Sequence, residues 1–158
     1  MIEEYPEEIW NEQILTGWQF EFDWFAIDEG DRLGMFSSFN TGYIPKIVKK
    51  SRTTYNQLFA AIEQLESQFV GIVNNTKGES NGWVEYSERG FYAFDFQDVH
   101  RKIKLDQYDL ISMPKGDVRL RNLNLKSELV ELLPRFDLSF DAPKLKVEAL
   151  KKALNNSC

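Results

Sequence analysis

The chain has very few of the residues that most often carry recognisable chemistry. Its 158 residues include one cysteine, Cys158, and one histidine, His100. A single cysteine excludes an internal disulfide and a zinc site built from several cysteines. Sparse cysteine is also typical of a reducing compartment. These absences favour a cytoplasmic protein without a cysteine-based metal centre.

Long apolar runs are missing as well. No stretch approaches the roughly 20 apolar residues that a membrane-spanning helix needs. The chain starts with the acidic segment MIEEYPEEIW, which lacks the apolar core of a secretory signal. Both observations predict a cytoplasmic location, with no membrane as partner.

Positive charge is in deficit. The chain carries 19 Lys and Arg against 25 Asp and Glu, a net charge of −6, and its sequence pI is near 4.9. An acidic protein repels phosphate backbones, so we expect no nucleic acid as direct partner. A basic protein is the better match, although such a charge more often serves only solubility.

Aromatic residues are abundant, with 12 Phe, 6 Tyr and 4 Trp, and many lie in segments with strand periodicity. Residues 18–27 (WQFEFDWFAI) alternate between aromatic and polar side chains, and from Phe25 the second face also becomes apolar. This pattern predicts a strand whose last residues are covered on both faces by other parts of the protein. A turn at 28–31 and a returning strand at 32–38 follow. We predict further strands at 91–96, 108–113 and 136–140.

Helical periodicity is clearest at residues 55–67, where Thr54 and Gln57 have the spacing of a capping box. A short helix is predicted at 83–89 and ends at Gly90, and a C-terminal helix begins after Asp141. A chain of this length is expected to form one domain, residues 1–158. The predicted fold is therefore α+β, a mainly antiparallel or mixed β-sheet with helices packed against it.

Enzyme motifs are scarce. Asp95, Asp98 and His100 form a D-x-x-D-x-H pattern from which a metal site can be drawn, but ligands this close in one segment seldom converge. No nucleophile elbow, phosphate-binding loop or dinucleotide motif is present. We therefore expect a protein that is not an enzyme and needs no cofactor. A small metal- or carboxylate-dependent enzyme using those three residues is one alternative, and a small-molecule-binding module with an aromatic pocket is another.

The segments that best suit partner binding are acidic and expected to be exposed, since carboxylates on a rigid scaffold can dock into a basic cleft. For any one cluster, a solvated surface without a partner is the commoner outcome. The candidate contacts are Asp28, Glu29 and Asp31 on the hairpin turn, and Glu85 and Glu88 on the short helix. A further acidic group lies at the N-terminus: Glu3, Glu4, Glu7 and Glu8.

Two stretches together resemble a known family. The first is FEFDWFAIDEGDRLGMFSS at 20–38, followed by GYIP at 42–45; the second is WVEYSERGFYAFDFQDVH at 83–100, followed by YDLISMP at 108–114. They are similar to small bacterial proteins with an EFDWFAVD opening and an RGlyvyDw middle. Such proteins are associated with immunity proteins of polymorphic toxin and contact-dependent growth inhibition systems. The resemblance covers roughly residues 18–140.

The resemblance implies a function that the residue patterns alone do not give. An immunity protein binds the toxic domain of a cognate effector, often a nuclease, and blocks its active site. The implied partner is therefore a cognate toxin domain of basic charge. The matching motifs determine fold rather than chemistry, so no catalytic residue is carried over.

Overall fold

Six strands form one mixed sheet, and five helices pack around it, in the part of the chain that the structure describes. This computed structural model describes residues 5–74, 80–96 and 105–155. The strands are β1 (Asp23–Ile27), β2 (Leu33–Ser37), β3 (Gly71–Val73), β4 (Phe91–Phe96), β5 (Gln107–Pro114) and β6 (Lys144–Lys146). The helices are α1 (Glu7–Ile9), which continues as a π-helix (Trp10–Ile14), α2 (Arg52–Glu63), α3 (Asn81–Glu88), α4 (Ser127–Val130) and α5 (Val147–Ala153).

The strand order is β1-β2-β4-β5-β3, and β6 also pairs with β5. The β2–β4 pair is parallel and every other pair in the sheet is antiparallel. This arrangement confirms the predicted α+β class with a mixed sheet. None of the helices in the described ranges is long and apolar enough to cross a membrane.

One face of the sheet is a continuous stack of aromatic rings. Trp24, Phe36 and Phe94 are paired across β1, β2 and β4, and their ring centroids lie 4.2 Å and 4.9 Å apart. The indole of Trp24 donates a hydrogen bond of 3.2 Å to the hydroxyl of Tyr108, which in turn donates one of 2.7 Å to the carbonyl of Tyr43. The buried polar atoms of the stack are thereby satisfied. The C-terminal segment covers this face with two buried rings, Phe136 and Phe140.

The opposite face packs against α2 and α3. Phe25 projects between Phe59 of α2 and Tyr86 of α3, with ring centroids 6.0 Å and 5.9 Å away. Phe25 and Ile27 are both buried, which confirms that β1 is covered on both faces. The apolar side of α2 therefore packs on the sheet, as its periodicity predicts.

The buried carboxylate of Asp28 joins the β1–β2 turn to the C-terminal segment. Its Oδ1 accepts hydrogen bonds of 2.8 Å from the backbone amides of Gly30 and Arg32. Its Oδ2 accepts one of 2.8 Å from the amide of Phe140 and one of 3.3 Å from the guanidinium of Arg32. Asp28 has no exposed surface, so the expectation that it lies on an exposed acidic turn is wrong.

The first strand begins later in the chain than predicted. β1 begins at Asp23 instead of residue 18, and Trp18 and Phe20 are 65% and 36% exposed. The side-chain amide of Asn40 donates to the carbonyls of Gln13, Ile14 and Trp18, at 2.9–3.3 Å. These hydrogen bonds hold residues 13–18 against the loop that follows β2. The chain before β1 therefore does not pair with a neighbouring strand.

The limits of α2 also differ from the prediction. The helix begins at Arg52, and its N-cap is Ser51, whose hydroxyl accepts a hydrogen bond of 3.2 Å from the amide of Thr54. The predicted capping box at Thr54 and Gln57 is therefore wrong, because the helix starts about one turn earlier in the chain. In contrast, α3 and its end at Gly90, which has a φ of 104°, confirm the predicted short helix.

The secondary structure of the C-terminal region differs most from the prediction. The segment predicted as a strand at 136–140 forms only one isolated bridge, Phe136 with Leu154, and the preceding residue, Arg135, forms another with Ile27. The last strand is β6, which lies where the start of the helix is predicted. Residues beside β6 extend the sheet, since the carbonyl of Pro143 accepts a hydrogen bond of 2.9 Å from the amide of Leu110. Helix α5 therefore starts only at Val147.

We expect Asp28→Asn to lower the free energy of unfolding by about 3 kcal/mol, because it removes a buried charge from four hydrogen bonds. Urea denaturation measures the change. The matched control is Asp31→Asn on the same turn, where the ion pair with Arg135 is exposed and a change below about 1 kcal/mol is expected. Equal effects of the two substitutions would contradict the role of Asp28 as the buried link.

Candidate binding cleft between two helices

A cleft of about 740 Å³ lies between α2 and α3, over the end of the β1–β2 pair where Asp23 faces Ser37. We call it the α2–α3 cleft. Its size is in the range of pockets that bind small ligands or single side chains with their flanking groups. Its lining residues are Glu21, Asp23, Met35, Ser37, Phe59, Ala60, Glu63, Gln64, Gly82, Trp83, Glu85, Tyr86 and Arg89.

The α2–α3 cleft is strongly acidic. Glu21 lies two residues before Asp23, the first residue of β1; Glu63 ends α2 and Glu85 lies on α3. Arg89 is the one basic side chain among the lining residues. Four carboxylates near low-dielectric walls create a negative potential that attracts cations. The cleft therefore suits a positively charged group.

The wall formed by α3 already holds one guanidinium. The hydroxyl of Tyr86 donates a hydrogen bond of 2.8 Å to Glu63, and a terminal nitrogen of Arg89 lies 3.8 Å from the same carboxylate. The Arg89 guanidinium carbon lies 5.6 Å from the centre of the Tyr86 ring, within the range of a cation–π contact. Burial, followed by the charges of Asp23 and Glu63, raises the pKa of Tyr86, so its hydroxyl stays a neutral donor.

The fold raises the pKa of Asp23. Burial raises the pKa of Asp23 to about 7, and the neighbouring charges of Glu21, Glu63 and Asp95 act in the same direction. A hydrogen bond with the Ser37 side chain lowers the pKa in part. Near neutral pH, Asp23 is therefore divided between its protonated and ionised forms, and a cation in the cleft would favour the ionised form.

Two buried donors of the cleft wall have no acceptor among the residues that the structure describes. They are the indole Nε1 of Trp83 and the Nε of Arg89. Buried donors are nearly always paired, because an unmade hydrogen bond costs about 1–3 kcal/mol. Both residues line the α2–α3 cleft. Both atoms have almost no exposed surface, so these two donors are enclosed within the wall and are not presented to the cleft.

The acidic hairpin turn is not an open negative patch. Asp31 is exposed, but the guanidinium of Arg135 lies 3.2 Å from its carboxylate. The guanidinium of Arg119 donates a hydrogen bond of 2.7 Å to the carbonyl of Gly30 within the same turn. Glu29 is exposed beside them. These two arginines offset much of the negative charge that the sequence suggests for the turn.

Of the two acidic residues predicted on the short helix, Glu85 is exposed and lines the α2–α3 cleft. Glu88 is partly buried at the end of α3, outside the cleft lining, and its carbonyl accepts hydrogen bonds of 3.0 Å from the amides of Gln68 and Phe69. The structure thus places the two candidates in different surroundings. At the N-terminus, Glu7 and Glu8 are exposed on α1, and Glu3 and Glu4 lie outside the described residues.

The suggested metal site stays a prediction. Asp95 is partly buried on β4, in register with Ser37 of β2 and Asp109 of β5. Asp98 and His100 lie outside the described residues. Within residues 5–74, 80–96 and 105–155, no group of three or more His, Cys, Asp or Glu side chains is arranged to hold a metal ion.

Sequence reasoning missed most of this cleft: Glu21, Asp23, Glu63 and Arg89 are not among its candidates. One signal was present, because Asp23 shares its face of the strand with Phe25 and Ile27, which are predicted to be covered. A carboxylate on a covered face indicates a functional or hydrogen-bonded position. The positions of Glu63 and Arg89 depend on helix packing, which the local pattern does not contain.

Comparison with known protein-family models, curated proteins and solved structures finds no match to this chain.

We expect Asp23→Asn to stabilise the protein at pH 8 and to have little effect at pH 4. The folded state holds the Asp23 proton up to about pH 7, whereas the unfolded chain releases it near pH 4, so ionisation of Asp23 costs stability as pH rises between these values. A pKa of about 7 in the folded state and about 4 in the unfolded chain corresponds to a gain of at most about 4 kcal/mol at pH 8. Denaturation at both pH values measures it.

The control is Asp137→Asn, at an exposed carboxylate. It is expected to change the free energy of unfolding by the same small amount at pH 4 and pH 8. If Asp23→Asn showed no greater gain at pH 8 than at pH 4, the raised pKa of Asp23 would be refuted.

Proposed function

We propose that this protein is an immunity-type inhibitor that binds the toxic domain of a cognate effector through the α2–α3 cleft. The observation that carries the proposal is the charge of this cleft, where four carboxylates face one guanidinium beside aromatic walls. The resemblance of residues 20–45 and 83–114 to immunity proteins supplies the kind of partner. The protein acts in the cytoplasm as a stoichiometric binder, without catalysis and without a cofactor.

The partner is a basic protein domain. Enzymes that cleave nucleic acid collect positive charge in their active sites, because their substrate is a polyanion. An acidic cleft of fixed shape competes for that positive charge, and electrostatic attraction speeds the encounter. The overall charge of −6 acts in the same direction and disfavours nucleic acid or an anionic membrane as a direct partner.

A second candidate function is a small-molecule-binding module. The aromatic side chains of Phe59, Trp83 and Tyr86 beside a cleft of about 740 Å³ favour it, since aromatic walls with a few polar groups are typical of ligand pockets. Such a module would bind an organic cation and would need no toxin. The two functions differ in whether a neighbouring toxin domain is neutralised.

The toxin-binding hypothesis predicts that reversing charges at the cleft abolishes neutralisation. In the double variant Glu21→Lys with Glu85→Lys, we expect affinity for the toxin domain to fall at least about 100-fold, because like charges then face its basic surface. Titration calorimetry with the basic domain encoded beside this protein measures affinity, and rescue of growth on co-expression measures neutralisation.

The matched control is Asp137→Lys with Glu148→Lys, which gives the same change in net charge at two exposed positions outside the cleft. It is expected to keep most of the affinity and to rescue growth. Equal loss in both double variants would show that only total charge matters. Failure of the unmodified protein to bind any toxin domain encoded beside it would refute the immunity function.

A further inference from the structure

The buried side chain of Asn40 assembles a patch of exposed apolar residues. Its amide donates hydrogen bonds of 3.1 Å and 2.9 Å to the carbonyls of Ile14 and Trp18. Leu15, Trp18 and Phe39 therefore lie within one residue of a group in this network, and they are 49%, 65% and 46% exposed. We call these three residues the Asn40 patch. Large apolar side chains grouped on a surface are typical of protein–protein contact sites.

The backbone of Phe39 is strained although its side chain stays about half exposed. The amides of Thr41 and Gly42 both donate to the carbonyl of Ser38, which closes a turn. Its central residues, Phe39 and Asn40, have φ values of 52° and 59°. Glycine, asparagine and aspartate suit such a turn, whereas a phenylalanine there carries a steric cost. Turn chemistry explains Asn40 but not Phe39, and uncompensated strain of this kind is typical of functional positions.

We propose that the Asn40 patch is a docking surface for the basic toxin domain and receives an apolar segment of that domain flanked by lysine or arginine residues. The inference rests on the proposed function, since it extends the interface with the same partner beyond the α2–α3 cleft. Stable protein complexes bury about 800 Å² on each partner, so contacts outside a single cleft are required.

The charges beside the Asn40 patch select its occupant. Residues 7–21 contain no lysine or arginine. They carry four exposed glutamates: Glu7, Glu8, Glu12 and Glu21. The ammonium of Lys49 is engaged by the carbonyl of Ile14, at 2.9 Å. A second copy of this chain or an anionic membrane would bring like charge to this surface, whereas a basic protein brings the opposite charge.

The Asn40 patch is continuous with the α2–α3 cleft. Glu21 lines the cleft and follows Trp18 by three residues, which span about 10 Å of extended chain. Residues 18–21, which include the aromatic side chain of Phe20, are all exposed. A partner whose basic group occupies the cleft therefore reaches the patch with the residues beside that group. An exposed tryptophan is the side chain that most often becomes an energetic centre of such an interface.

We expect the double variant Trp18→Ser with Phe39→Gly to lose toxin affinity at least about 30-fold, as for the loss of an aromatic hot spot. Titration calorimetry with the cognate toxin domain measures this loss. Glycine adopts a positive φ without strain, so urea denaturation is expected to give a midpoint close to that of the unmodified protein.

The matched control is Val70→Ser with Leu105→Ser. It removes two apolar side chains of similar exposure, 64% and 43%, from positions just before β3 and β5. Surface substitutions outside an interface have small effects, so we expect the affinity of this control to change less than about three-fold.

Peptide probes test the Asn40 patch without a toxin and without a substitution. The first probe is an amphipathic peptide of lysine and leucine, the second replaces leucine by serine, and the third replaces lysine by glutamate. The readout is the indole N–H signal of Trp18 in a nitrogen–proton NMR spectrum of the unmodified chain, assigned with Trp18→Phe. We expect a saturable shift with the lysine–leucine peptide alone, because docking requires apolar contact and positive charge together.

Three results would overturn the inference: no saturable shift with the lysine–leucine peptide, equal binding of either other peptide, or equal loss of toxin affinity in the two double variants. Dimerisation of the unmodified protein that Trp18→Ser abolishes would assign the patch to a second copy instead. Binding to phosphatidylglycerol vesicles that Trp18→Ser abolishes would assign it to a membrane.

These outcomes are distinct from failure of the proposed function. If the variant of the Asn40 patch keeps its toxin affinity while charge reversal at the cleft abolishes binding, only the docking surface is refuted. If the lysine–leucine peptide binds at Trp18 and no toxin domain binds, the docking surface stands and the inhibitor function is refuted.

Discussion

The stack of Trp24, Phe36 and Phe94 is the interaction on which the rest of the structure depends. These rings lie on one face of three neighbouring strands, so they fix both the strand register and the face on which every other residue lies. With Trp24 in the aromatic core, Asp23 must lie on the opposite face, beside Ser37. A shift of one residue would bury Asp23 among the rings, which makes the register strongly determined.

The same register gives the cleft its unusual chemistry. Asp23 lies at the end of a face that is otherwise covered by α2 and α3, where water is partly excluded and other carboxylates are close. Fully packed apolar residues there would be more stable, and Asp23, Trp83 and Arg89 all carry a cost in ionisation or in unpaired hydrogen bonds. Such costs concentrated at one concave site are typical of functional sites, and a cation bound in the cleft would offset the cost of ionising Asp23.

The parts of the fold that local patterns determine were predictable, and the parts set by distant contacts were not. Strand β4 follows from aromatic alternation, strand β5 from the segment YDLISM before Pro114, and helix α3 from its terminal glycine. The exposed start of the first aromatic segment could not be foreseen, because it depends on Asn40 holding carbonyls more than 20 residues away. Likewise, Arg119 and Arg135 reach the acidic hairpin turn from about a hundred residues later in the chain and offset much of its negative charge. Of the candidate contacts predicted from sequence, only Glu85 lines the α2–α3 cleft.

The most direct measurement of the central claim, that the α2–α3 cleft is the binding site, is amide hydrogen exchange of the whole protein, free and mixed with the cognate toxin domain that the proposed function requires. The account predicts added protection in the segments that line the α2–α3 cleft, residues 59–64 and 82–89, with no change at the hairpin turn, residues 28–32. Protection confined to the hairpin turn, or an unchanged cleft in a tight complex, would contradict it.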